Sequence, residues 1–304
     1  MLRRNVLIFH SGALGDFVLS WPLAMALGRL YPQSRIICVC ASQKGRLLER
    51  ALRLESQDVE NGWSALFAPD AAVTDPIART LSGAHTICSF VAAADSCWAK
   101  NVRRLAPEAA AVFIDPVLPP KFTRHATDHL VDQLAGQPVI ATAVGQLLRS
   151  IAERGTGLPN NMCGSMIIHP GAGSPAKCWP LDCFRKVATG RDVKWIIGEV
   201  EAERWSDAER AEATQPKTLV ELFDILRGAS LYVGNDSGPA HLAGILGVQT
   251  IALFGPSNPA NWRPLGPRVK TIHRPSIDQI TVDDVLAQID LKNYPRRHGE
   301  KHGE

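Results

Sequence analysis

The stretch 232–255, "YVGNDSGPAHLAGILGVQTIALFG", decides the fold. It reads as a buried strand, a polar turn, a short helix and a second apolar strand, which is the repeating unit of a parallel sheet. Its turn collects Asp236, Ser237, Gly238, Pro239 and His241. Gly238 and Pro239 suit the N-cap and first position of a helix, and Gly247 suits its end. The first N–H groups of such a helix point outward, and its dipole favours an anion there. Asp, Ser and Gly are also ordinary turn residues, so a plain capped turn is the other reading.

Two more turns of this kind precede it. "SMIIHP" (165–170) reads as a strand, and "HPGAGSPAKCWP" (169–180) leads from it toward the helix "LDCFRKVAT". Gly171, Gly173 and Ser174 would let the backbone approach a phosphate, and Lys177 would add a point charge. The spacing is not that of a Walker P-loop, and an ordinary loop with a solvated lysine reads equally from the residues. At the start of the chain "NVLIFH" (5–10) is a continuous apolar run, followed by the turn "SGALGD" and the helical pattern "FVLSWPLAMALGRLYP". This turn carries Gly12, Gly15 and Asp16 but lacks G-x-G-x-x-G, so no dinucleotide reading follows. Asp16 either caps the helix or offers a carboxylate able to accept a proton.

Between these turns the chain alternates strands and helices. "SRIICVCA" (34–41), "HTICSFVA" (85–92), "AVFIDP" (111–116) and "DVKWIIG" (192–198) read as strands. "GRLLERALRL", "DSCWAKNVRRLA", "TRHATDHLVDQLAGQ", "EAERWSDAERAEA", "TLVELFDILRGA" and "TVDDVLAQID" read as helices. The cluster of Gly155, Gly157, Pro159, Asn160 and Asn161 reads as a linker. The expected organisation is therefore α/β: a doubly wound domain over 1–154, a linker over 155–164, a second doubly wound domain over 165–290, and a disordered tail over 291–304. Ligands of open parallel sheets sit beyond the carboxyl ends of the strands. All three polar turns occupy such positions, so they are expected to face a common cleft.

The composition is normal for a soluble globular protein with a full core. The 304 residues are 45% hydrophobic and 21% charged, with a net charge of +3, which argues against a dedicated nucleic-acid binder. Seven cysteines show no CxxC or zinc spacing, so reduced thiols and a cytoplasmic location are expected. "MLRRNVLIFHSGALGD" has a short apolar run and no cleavage site beyond it, so a first strand is the better reading than a signal peptide. No stretch reaches the roughly 18 apolar residues that span a bilayer; 130–151 comes closest, interrupted by Asp132, Gln133, Gln137 and Gln146.

Taken together, "GALGDFVLSWPLAMALGRLYP", "HPGAGSPAKCWP", "DSGPAHLAGILGVQTIALFGPSNPANWRP" and "ITVDDVLAQI" resemble the family 9 glycosyltransferases, which include the bacterial heptosyltransferases of lipopolysaccharide core assembly. The resemblance runs through both domains in family order. It implies a GT-B fold of two Rossmann-like domains, with the nucleotide sugar held mainly by the C-terminal one, and an inverting transfer with no cofactor and no obligatory metal. It implies Asp16 as general base and Lys177 as the second catalytic group. Gly15, Gly171, Gly173, Ser174, Lys177, Glu201, Asp236, Ser237, Gly238, Pro239 and His241 become the donor-binding residues. The donor implied is ADP-heptose and the acceptor a glycan or lipid-linked glycan such as lipopolysaccharide core, with peripheral contact at the inner membrane.

The chain departs from the family after "WIIG", where "GEVEAER" replaces the frequent Gly-Gly-Pro then Glu, and 57–122 carries no acceptor signature. The competing readings are another GT-B sugar-nucleotide enzyme, such as an epimerase, and a non-catalytic nucleotide-sugar-binding module. His85, His125 and His129 are expected to be structural or surface residues rather than catalytic ones.

Overall fold

The computed structural model describes residues 4–289 apart from 159, 162 and 163. The tail at 291–304 lies outside the described residues, as does part of the stretch 155–164. Two compact units divide the chain between Ser150 and Ile151.

The first unit runs β1 (Asn5–Phe9), α1 (Leu14–Leu19), α2 (Trp21–Leu30), β2 (Arg35–Cys40), α3 (Ser42–Leu52), β3 (Glu55–Asp58), α4 (Asp75–Ser82), β4 (Ala84–Ser89), α5 (Cys97–Leu105), β5 (Ala110–Phe113), α6 (Ala126–Gln133) and most of α7 (Pro138–Arg154), whose last residues fall in the second unit. Its sheet is fully parallel in the order β3-β2-β1-β4-β5. All five residues of β1 are buried, as its uninterrupted apolar run requires of a central strand covered on both faces. One face packs Leu7, Phe9, Ile37, Val39 and Ile87 against Trp63 and Trp98. Phe9 meets both indoles edge-on at centroid distances of 5.2 Å, the geometry that ring quadrupoles favour.

The second unit runs β6 (Met166–His169), α8 (Leu181–Ala188), β7 (Val193–Ile196), α9 (Glu199–Arg204), α10 (Asp207–Ala211), β8 (Ala213–Thr214), α11 (Leu219–Arg227), β9 (Leu231–Asn235), α12 (Gly238–Ile245), β10 (Gln249–Phe254), α13 (Pro259–Trp262), β11 (Val269–His273) and α14 (Val282–Leu286). Its sheet is also parallel, in the order β11-β10-β9-β6-β7-β8. The chain order reverses between β6 and β9, and this reversal opens the crevice in which doubly wound sheets hold ligands. Below it, Ile168, Val233, Ile251 and Leu253 pack on Trp179 and Phe184. Each such buried side chain contributes roughly 1.5–3 kcal/mol.

Several elements differ from the sequence reading. The helical run after Gly15 breaks at Ser20, whose hydroxyl donates to the Phe17 carbonyl at 2.7 Å, and Pro22 stands in the first turn of α2. "EAERWSDAERAEA" forms two helices, because Ser206 and Glu209 make a capping box that starts α10. The helix starting after Asp236 is N-capped by Ser237, with Gly238 as its first residue, one position earlier than the sequence suggests. The 130–151 stretch lies in α6 and α7, and no described helix is long and apolar enough to cross a membrane.

Candidate functional site

At the β6/β9 reversal two turns are locked together. His169 pairs in register with Gly234, so the chain leaves both strands at the same level. Asn235, fully buried, then clamps the first turn with both ends of its amide: Nδ2 donates to the Pro170 carbonyl at 2.7 Å, and Oδ1 accepts from the Trp179 backbone N–H at 3.1 Å. The loop 170–179 is thereby fixed across the mouth of β9.

Inside this clamp the Asp236 carboxylate, only 7% exposed, accepts from Lys177 Nζ at 2.7 Å, and the lysine side chain is 34% exposed. His241 Nε2 stands 4.0 Å from the other carboxylate oxygen and is 6% exposed. Lys177 is therefore not a solvated lysine, as one reading of the turn had it. Its ammonium is held at the mouth by a buried carboxylate, and an ammonium has three donors, so one bond to Asp236 leaves two for another acceptor. Gly238 supplies the first N–H of α12, two residues on from Asp236; Pro239 has none, and the Ala240 N–H already bonds the Ser237 carbonyl at 3.0 Å.

Gly171 and Glu201 also meet here. Glu201 Oε2 accepts from the Gly198 N–H at 2.9 Å, which caps α9. The same carboxylate fills the space beside Gly171, where a Cβ would stand 2.6 Å from Glu201 Cδ. Any larger residue at 171 therefore displaces Glu201. Gly173 has open space about it. The C-terminal unit thus brings together Gly171, Glu201, Lys177, Asp236, His241 and the turn Ser237–Gly238–Pro239, with Gly173 and Ser174 on the same loop. Gly15 belongs to the other unit.

In the N-terminal unit the turn after β1 is built in the same manner. Gly12 is packed so closely that a Cβ would lie 3.0 Å from His10 Cε1 and 3.3 Å from Asp16 Oδ2. Asp16 is the third residue of α1, whose N-cap is Ala13 with no side-chain bond. Asp16 is accordingly not the cap, although a carboxylate in a first turn still suits the dipole. Lys44, on α3, donates from Nζ to the Gly12 carbonyl at 2.5 Å.

His10 and His169 occupy equivalent positions, at the carboxyl end of the first strand of each unit, and both are buried. Burial pushes the His10 imidazole down to about 3, with the Lys44 charge adding to the effect. Burial alone pushes His169 down to about 4. Both are neutral at pH 7. Sequence reasoning passed over these histidines, Asn235 and Lys44. The repeated His-x-Gly, His10–Gly12 and His169–Gly171, was the available signal for the first two. Among the described residues no group of three His, Cys, Asp or Glu side chains is placed to hold a metal ion.

Comparisons with known proteins bear on the family and the fold. Residues 149–283 match the model of glycosyltransferase family 9 (heptosyltransferase). Lipopolysaccharide heptosyltransferase 3 of Escherichia coli is 30% identical over 113 residues, so the match spans about a third of each protein, 33% of this chain and 33% of the relative. Among solved structures, E. coli ADP-heptose lps heptosyltransferase II superposes with a TM-score of 0.68 at 17% identity, over 95% of this chain and 98% of that one. An E. coli heptosyltransferase solved with ADP gives 0.63 at 16% identity, over 95% and 99%. These likenesses carry the expected fold, two parallel α/β sheets as in GT-B heptosyltransferases.

Proposed function

We propose that the protein, whose residues 149–283 match the glycosyltransferase family 9 model, transfers a heptose from ADP-heptose to a hydroxyl of a lipid-linked glycan such as lipopolysaccharide core, with inversion at the anomeric carbon. The observation that carries the reading is the Lys177–Asp236 pair at the β6/β9 reversal, beside the start of α12.

In the reaction the acceptor hydroxyl attacks the anomeric carbon and the bond from that carbon to the diphosphate breaks. Negative charge grows on the departing oxygens. Lys177 and the Gly238 N–H at the start of α12 are the preorganised donors that stabilise it. Asp236 aims the ammonium and keeps it from swinging into solvent. Glu201, at the loop edge, is placed for the nucleoside end of the donor. Asp16 takes the proton of the attacking hydroxyl. One relative was solved with ADP and another is a lipopolysaccharide heptosyltransferase, which supports the donor and the acceptor of the proposal.

A calorimetric screen of ADP, UDP, GDP and CMP tests the donor. Binding of ADP in preference to the other three, abolished or weakened by Lys177→Met, supports the reading. Equal indifference to all four would end it. A cytoplasmic location with contact at the inner membrane follows from the same proposal.

A further inference from the structure

We propose that Lys44 is a positioning residue for proton transfer, fixing the Gly12–Asp16 turn and supplying the cation that keeps the Asp16 carboxylate ready to accept a proton. The inference rests on the reading of Asp16 as the base.

Three observations carry it. The first is reach. Phe9 pairs with Val39, and the His10 N–H bonds to the Val39 carbonyl at 3.0 Å, so the turns after β1 and β2 lie side by side. Lys44 crosses from one to the other and bonds to the Gly12 carbonyl at 2.5 Å. Gly12 is in turn packed against both His10 and the Asp16 side chain. Pinning its carbonyl therefore sets where the carboxylate stands.

The second is position. Lys44 is the third residue of α3, and a cation in a helix's first turn opposes the dipole. Its side chain is also half-buried, which lowers its pKa, while Cys40, Cys38 and Asp16 act in the other direction. Its ammonium lies 5.8 Å from the centre of the Phe17 ring. Neither helix stability nor solvation accounts for a lysine at this point; an electrostatic task toward the Asp16 turn does.

The third is the state of His10. That imidazole is buried against Phe17 and Phe90, with ring centroids 5.2 and 5.3 Å away, and it stays neutral. It cannot supply the positive charge, and Lys44 can. A cation near a carboxylate favours its ionised form, the form a general base needs.

The test uses the full-length protein with ADP-heptose and truncated lipopolysaccharide as probes. It compares Lys44→Gln, Lys44→Arg and Asp16→Asn. Gln and Arg can both donate to the Gly12 carbonyl, but only Arg keeps the charge. Lys44→Gln is expected to lower kcat roughly 10–100-fold, less than loss of the base itself, with KM for ADP-heptose and melting temperature near those of the wild type. Lys44→Arg is expected to recover most of the rate. If Lys44→Gln transfers within twofold of wild type while Asp16→Asn is crippled, Lys44 has no such task and the reading of Asp16 stands. If both transfer normally, the reading of Asp16 fails and this inference falls with it. Absence of transfer by the wild type overturns both. Equal loss in Gln and Arg, accompanied by a large drop in melting temperature, would show that Lys44 serves the fold alone.

Discussion

Replacing Lys177 by methionine separates two contributions of one side chain. The stem and its packing are kept, and the ammonium is lost. Asp236, 7% exposed, is then left as a buried carboxylate without its cation. Removing one partner of a fully buried pair costs about 3–5 kcal/mol. The lysine end is 34% exposed, so water reaches the vacated site and lowers the cost to about 1–3 kcal/mol. For a unit of this size that corresponds to a fall of roughly 3–10 °C in melting temperature. Asp236→Asn in the same background removes the stranded charge and should restore most of the lost stability. It should not restore transfer, which Lys177→Met lowers by an expected 2–4 kcal/mol of transition-state stabilisation. Thermal melts and steady-state rates on the two single variants and the double variant form the cycle. The reasoning is refuted if Lys177→Met melts within 1 °C of wild type, or if the double variant regains turnover.

Asp16→Asn is expected to slow transfer by roughly 10²–10⁴-fold with ADP affinity unchanged, read by calorimetry and rate on one preparation, with the melting temperature as control. Gly171→Ala should displace the Glu201 carboxylate, which stands 2.6 Å from the added Cβ, and weaken ADP binding several-fold, with little change in melting temperature because a flexible side chain yields; unchanged affinity would remove Glu201 from the donor site. Stability should fall on acidification. His10 and His169 have pKa values of about 3 and about 4 when folded, against 6.5 for the free side chain, so the unfolded chain binds more protons below pH 6.5. Each unit should lose about 2 kcal/mol between pH 6.5 and 5, measured by urea unfolding, and His169→Asn should flatten the slope in the second unit.

What the sequence made legible follows from physics acting along short stretches. Continuous apolar runs marked the central strands β1, β2, β4, β6, β9 and β10, since a strand covered on both faces needs them. Of the edge strands, β5 was read from "AVFIDP", and the other three were missed for the converse reason. β3 is "ESQD", β8 has two residues, and β11 is largely exposed, so none carries such a run. The break between α9 and α10 was legible in Ser206 and Glu209, a capping box inside an otherwise helical pattern. The site was legible as residue types on turns. Its wiring was not, because Lys177 and Asp236 lie 59 residues apart and only the strand order brings them together. Lys44, 32 residues from Gly12, belongs to a helix whose pattern gives no hint that it reaches another turn.

The activity proposed for the protein is transfer of a sugar from a nucleotide donor with inversion. The most direct measurement is a proton NMR time course of wild-type protein with ADP-heptose and truncated lipopolysaccharide, following ADP, free sugar and the new anomeric signal together. One ADP should be released for each heptose attached, with a new linkage of anomeric configuration opposite to that of the donor and negligible free sugar. Retention at the anomeric carbon, free or epimerised sugar without a new linkage, or ADP-heptose bound without turnover would contradict it.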